Sequence, residues 1–147
     1  MQETFHYLLM ADHLMVQKAL VSSVKDTGLT PGQPKILDFL MYHDGAIQKD
    51  IAKFCHIEPA SLTSILNGME SKGYVKRRNS GKDRRSLHVY LTETGKKYSD
   101  RLSREFAKIE SEALKGLSEE EVRQLRDLLS RVYENMSDIQ KEEGTDK

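Results

Sequence analysis

PASLTSILNGMESKGYVKRRNSGKDRRSLHVYL, residues 59–91, holds the pattern that decides how this chain folds. Leu62, Ile65, Leu66 and Met69 recur at spacings of three and four, the buried stripe of a helix that opens at Pro59 and closes at Gly73. Ser61, Thr63, Ser64, Asn67 and Ser71 are left on its outward face and flanks. A short strand, Tyr74 to Arg78, then leads into a basic tip, Asn79 to Ser86, and a second strand, Leu87 to Thr92. In that second strand Leu87, Val89 and Leu91 alternate with His88, Tyr90 and Thr92, as a half-buried strand requires. A helix carrying small hydrogen-bonding side chains, followed by an arginine-tipped hairpin, suits a nucleic-acid duplex. Such a helix fits a major groove, while the hairpin reaches phosphates and the neighbouring minor groove.

Upstream of this stretch lie the parts that hold it. Glu3 to Asp26 carries Phe5, Leu8, Leu9, Met15, Leu20, Val21 and Val24 at loosely helical spacing, and Gly28 ends that helix. A second helix is expected to open with Thr30 as cap, Pro31 at the first helical position and Gln33 completing a capping box. Ile36, Leu37, Phe39, Leu40 and Met41 give it a wide apolar face. After the break at Gly45, Gln48 to Cys55 forms a short third helix with Ile51, Ala52 and Cys55 inward. The turn His56-Ile57-Glu58 joins it to the helix at Pro59, and two short helices so joined match a helix-turn-helix.

Downstream, Thr92 caps a long helix from about Glu93 to Lys115. Ser118 to Glu121 is a second capping box, with Leu117 and Val122 placed as a hydrophobic staple. Val122, Leu125, Leu128, Leu129, Val132, Met136 and Ile139 then repeat at three and four, further than a small winged module needs. That stripe is available for another helix, from this chain or from a second subunit. The fold class is therefore mainly α with a small antiparallel β-hairpin wing.

The length of 147 residues suggests one domain, and 37% hydrophobic against 31% charged residues hints at apolar surface completed by a partner subunit. No apolar run is long enough for a membrane span, no signal peptide is visible, and the single cysteine fits a reducing cytoplasm. The net charge of zero conceals polarity. Between Ala46 and Leu91 nine basic residues face four acidic ones, a surplus of five positive charges. Acids such as Glu119, Glu120, Glu121, Glu142 and Glu143 collect toward the C-terminus.

From about residue 5 to 140 the chain resembles the MarR family of bacterial winged-helix transcription regulators. The residues carrying the resemblance include Gly28-Leu29-Thr30 with Gln33, and Gln48-Lys49-Asp50-Ile51-Ala52. Further matches are Leu62-Thr63 through Leu66, Glu70-Ser71-Lys72-Gly73-Tyr74-Val75, Asp83-Arg84-Arg85 and Leu91-Thr92-Glu93-Thr94-Gly95. The resemblance implies a winged helix-turn-helix over residues 30–92, flanked by dimerisation helices over 1–27 and 93–141, with a frayed tail at 142–147. It implies a homodimer on double-stranded DNA at a pseudo-palindromic operator, most often as a repressor released by a small-molecule effector.

Carried over by position, the fourth helix becomes the recognition helix, offering Ser61, Thr63, Ser64 and Asn67 to DNA. The strand and wing offer Arg77, Arg78, Lys82, Asp83, Arg84 and Arg85, with Arg85 approaching the minor groove and Asp83 helping to hold the hairpin tip. Two positions depart from the family pattern. Ser64 stands where an arginine often follows the threonine, and Gly68 replaces a frequently basic or bulky residue at a helix cost of roughly 1 kcal/mol relative to Ala. Fewer bidentate guanine contacts from the helix follow.

Met10, His13, Met41, Tyr42 and His43 are the candidate lining of a pocket for a small aromatic or anionic effector, with helix core as the blander role. Cys55 invites a redox switch, but an inward thiol on a short helix behaves as a small hydrophobe. His6, His13, His43, His56 and His88 lack tight ligand spacing, so no metal or other cofactor is expected. No nucleophile–base set or glycine-rich phosphate loop supports an enzyme. Rival readings are a winged helix that docks an acidic protein partner, and a thiol- or metal-responsive regulator.

Overall fold

The computed structural model describes residues 3–80 and 82–145; the side chains of Ser80, Asp83, Arg84, Glu142 and Thr145 lie outside the description. Among the described residues the order is α1 (Phe5–Ser23), a 3-10 turn (Lys25–Thr27), α2 (Gln33–Tyr42), β1 (Ala46–Ile47), α3 (Gln48–Phe54), α4 (Pro59–Ser71), β2 (Val75–Ser80), β3 (Asp83–Leu91), α5 (Glu93–Ala113) and α6 (Glu119–Thr145). The chain divides into two compact units, one up to Ile109 and one from Glu110 onward.

Local chemistry sets most boundaries. Thr4 caps α1 by accepting from the Tyr7 amide, and Gly28 stops the following 3-10 turn at φ 72°. The second helix begins later than the capping-box reading places it. Gln33 Oε1 does accept from the Thr30 N–H at 3.1 Å, but the Gln33 N–H bonds the Thr30 carbonyl rather than its hydroxyl. That closes a turn over residues 30–33, and Gly32 at φ 94° keeps Pro31 out of the helix. In α3 the expected inward residues Ile51, Ala52 and Cys55 are all buried. His56 makes the left-handed corner (φ 52°) that turns the chain into α4.

The three strands form an antiparallel sheet in the order β1-β3-β2. β1 pairs Ala46 with Val89 and Ile47 with His88, a strand too short to show any sequence alternation. β2 and β3 pair from Val75↔Leu91 outward to Asn79↔Leu87, with a register shift between Asn79 and Ser80. The wing strands therefore reach further toward the tip than Tyr74–Arg78 and Leu87–Thr92. Val89 and Leu91 point inward as expected, whereas Leu87 is exposed. Its partner in the ladder is Asn79, so there the strand has run beyond the layer that covers Val75 and Leu91.

The core of the first unit gathers Ile36, Leu37 and Leu40 of α2, Leu62, Leu66 and Met69 of α4, Val75, Val89 and Leu102. Ser99, 1% exposed, satisfies its hydroxyl by donating to the Leu37 carbonyl at 3.1 Å, tying α5 to α2. Arg101 ties α5 to the end of α1 by gripping both oxygens of Asp26, at 2.6 and 2.7 Å, and the Ser23 carbonyl. The Arg101 guanidinium holds the Asp26 carboxyl below the usual carboxylate range and is itself pushed up by that bond. A depressed acid adds stability above its unfolded pKa and loses it as pH falls through the folded one. Acid unfolding of Asp26→Asn should therefore show a weaker pH dependence below about pH 4 than the parent chain. Identical acid profiles would show that the pair contributes nothing to folding.

In the second unit, Ser118 and Glu121 form the anticipated capping box: the Glu121 carboxylate accepts from the Ser118 N–H at 2.8 Å, and the Ser118 hydroxyl accepts from the Glu121 N–H at 3.2 Å. α6 runs to Thr145. Leu128, Leu129, Met136 and Ile139 remain exposed along it. On α1, within the first unit, Phe5, Leu8, Met10, Leu14 and Met15 are likewise exposed. No helix among the described residues is long and apolar enough to cross a membrane.

Candidate nucleic-acid interface

Helix α4 keeps Leu62, Leu66 and Met69 in the core and leaves Ser61, Thr63, Ser64 and Asn67 exposed. Pro59 occupies its first turn, where a missing N–H costs little, and Gly73 ends the segment at φ 77°. Thr63 donates its hydroxyl hydrogen to the Pro59 carbonyl at 3.1 Å, so its oxygen faces outward chiefly as an acceptor.

Beside this helix stands the β2–β3 hairpin. Lys76, Arg78, Lys82 and Arg85 are exposed on it. The Arg78 guanidinium lies 4.2 Å from the centroid of the Tyr90 ring, a cation–π contact that limits its sweep without hiding its charge. The side chains of Asp83 and Arg84, both expected to serve the wing, lie outside the described residues, and with them the expected brace by Asp83.

Arg77 is placed differently from its basic neighbours. Residues paired across a ladder share a face, and Arg77 pairs with the fully buried Val89. Its side chain consequently turns toward α4 and is 15% exposed. Arg77 Nε donates to Glu70 Oε2 at 3.1 Å, the Arg77 backbone N–H donates to the same oxygen at 3.0 Å, and Arg77 Nη2 donates to Asn67 Oδ1 at 2.6 Å. The structure thus joins two of the expected DNA contacts, Asn67 and Arg77, to each other, and adds Glu70, which was not among the expected contacts. The period-two pattern running forward from Val75 was the available signal, since Val75 inward puts Arg77 inward too.

The five candidate effector residues are not brought together. His13 lines a groove of about 510 Å³ formed by α1, the turn around Pro31 and Phe106. Tyr42 and His43 line a separate groove with Phe39 and Phe54, whose rings lie 5.4 Å apart. Met10 is exposed on α1, and Met41 is half-buried.

Cys55 is 8% exposed at the end of α3 and donates to the Lys35 carbonyl at 3.7 Å. Burial pushes its thiol above the ordinary cysteine value, away from the reactive thiolate. Thiol labelling of the native protein at pH 8 should proceed at least about tenfold more slowly than in urea. Equal rates in both conditions would show that the thiol is accessible in the folded chain.

Comparison with known proteins places this geometry among regulators. The sequence profile of the MarR family matches residues 27–86. An uncharacterized HTH-type transcriptional regulator of Bacillus subtilis (strain 168), YdgJ, is 33% identical over 114 residues, which span 78% of this chain and 70% of YdgJ. S. aureus MepR, crystallised in a DNA-binding conformation, superposes with a TM-score of 0.80 at 29% identity, covering 91% of this chain and 99% of MepR. A MarR-family regulator from Listeria monocytogenes, crystallised with a 26-mer DNA, shares the fold at a TM-score of 0.85 and 22% identity, covering 94% of this chain and 91% of that one.

Proposed function

Because the chain belongs to the MarR family of transcriptional regulators, we propose that it acts as a homodimer that binds double-stranded DNA at a pseudo-palindromic operator. The observation that carries this reading is the exposed Ser61, Thr63, Ser64 and Asn67 surface of α4 beside a hairpin bearing Lys76, Arg78, Lys82 and Arg85. Helix α4 would enter the major groove while the hairpin tip reaches phosphates and the adjoining minor groove. Fold and family are those of transcriptional regulators rather than enzymes.

The exposed apolar residues of α1 and of α6 support a second copy as the partner, because such surface is rarely left to water on a monomer. A two-fold dimer presents two copies of α4, so half-sites should lie about one helical turn, roughly 34–36 Å, apart. The groove beside α1 is lined by Leu14, Val21 and Phe106 together with Lys18, Lys25 and Lys35, which suits a small aromatic anion. Occupancy by such an effector would release a repressor from its operator. The setting for this chemistry is the cytoplasm.

Gel mobility shift with the DNA upstream of the chain's own gene tests the reading. A specific complex that salt weakens, and whose mass by light scattering corresponds to two chains, is the expected result. Failure to select any sequence from random duplexes would overturn it.

A further inference from the structure

The bond between Arg77 and Asn67 says what kind of base edge the recognition helix can read. Arginine carries donors only, so the atom that Arg77 Nη2 contacts at 2.6 Å must be the Asn67 carbonyl oxygen, and the orientation of the amide is settled by chemistry. Arg77 is in turn anchored by Glu70 Oε2, through both Nε and the backbone N–H. The amide of Asn67 is therefore held with its oxygen toward β2 and its NH2 group available on the exposed side of α4.

Asparagine reads adenine by using both ends of the amide, donating to N7 and accepting from the N6 amino group. Here the accepting end already carries a charge-assisted bond. An approaching amino group would meet the positive guanidinium beside it. Donating through NH2 is favoured by the same bond, since a carbonyl that accepts from a cation polarises its amide. Guanine, with O6 and N7 both acceptors, is the base edge that matches.

We infer that Asn67, preset by Arg77, is a specificity-determining residue that donates to guanine in each half-site, with Arg77 as its positioning residue rather than a phosphate ligand. This rests on the proposed DNA binding and adds a base to it. The recognition helix, poor in long basic side chains, thereby gains positive readout from a strand residue placed behind it.

Selection of binding sites from a randomised duplex library tests the inference, using the full chain and three variants. The wild type should enrich guanine at one position of each half-site. Asn67→Ala should lose that preference alone, with binding to the selected operator weaker by roughly three- to tenfold, the size of one hydrogen bond. Asn67→Asp keeps a partner for Arg77 but removes the donors. It should move the preference at that position to cytosine, whose N4 amino group a carboxylate accepts. Arg77→Met, which frees the carbonyl, should admit adenine at the same position while the rest of the selected sequence stays unchanged. Should Arg77→Met fail to fold, the two Asn67 variants still decide the matter. Adenine selected by the wild type at the position that Asn67→Ala relaxes overturns the inference, as does an unchanged preference at every position in Asn67→Ala. No enrichment by the wild type overturns the DNA-binding reading itself.

Discussion

Gly95→Ala should destabilise the protein by about 3 kcal/mol or more, at the upper end of what a single methyl group can do. Gly95 lies buried in the first turn of α5, directly under the Tyr74 carbonyl. A Cβ there would sit 2.0 Å from that backbone oxygen and 3.0 Å from its carbon, against an ordinary carbon–oxygen contact of about 3.3 Å or more. Neither atom belongs to a flexible side chain, so strand or helix has to shift by on the order of 1 Å. The junction that would move is closely tied. Thr92 donates its N–H to the Tyr74 carbonyl at 3.0 Å and its hydroxyl to the Gly73 carbonyl at 2.5 Å, while that hydroxyl caps α5 by accepting from the Gly95 N–H at 3.0 Å. Tyr74 also donates its own hydroxyl to the Thr27 carbonyl at 2.7 Å. Urea unfolding at fixed protein concentration measures the cost, with Gly73→Ala as the comparison. Gly73 has φ 77° but nothing within 4 Å of a Cβ, so Ala there should cost only about 1–2 kcal/mol of backbone strain. Equal losses at the two positions would sink the close-packing explanation.

Operator affinity should fall by about 10³–10⁵ between 50 and 200 mM salt if the dimer neutralises roughly six to ten phosphates. Part of that slope should belong to Arg85, exposed near the hairpin tip. Arg85→Ala should weaken binding several-fold at low salt and reduce the slope of log affinity against log salt by about 1. If Asn67 makes the inferred base contact, Asn67→Ala should weaken binding while leaving the slope where it was, because a contact to a base releases no counterion. Fluorescence anisotropy on a labelled operator across a salt series separates the two. An Arg85→Ala slope indistinguishable from the parent's would remove that arginine from the phosphate and minor-groove contacts.

Much of this fold is legible in short stretches of residues because their physics is local. The three-four spacing of Leu62, Leu66 and Met69 is a helix with one wet face wherever it occurs. Thr92 and the Ser118–Glu121 box meet partners only three residues away, and both form the bonds their spacing anticipates. The Thr30–Gln33 segment fared less well for an equally local reason: the same two residues can close a turn instead of a helix, and left-handed Gly32 chose the turn. Leu87 alternates like a core residue but sits where the strand outruns its covering layer, and nothing in the alternation records how long that layer is.

The surface proposed to face DNA divides along the same line. That α4 shows serine, threonine and asparagine outward follows from the spacing of its apolar residues alone, and so does the basic character of the hairpin that follows it. Which of those residues hold one another does not follow, because it depends on groups that are distant in the chain. Arg77 and Asn67 are ten positions apart, and only the register of β2 on β3 turns the arginine inward, where Glu70 and Asn67 take its donors. Likewise Gly95 is part of a motif in the chain, but only folding lays the Tyr74 carbonyl where its side chain would be. Residues 59–91 were enough to specify a helix and a charged hairpin, since periodicity and charge act over a few residues. The pairing that joins them into the proposed reading surface required strands and helix to pack, since a hydrogen bond reaches only about 3 Å.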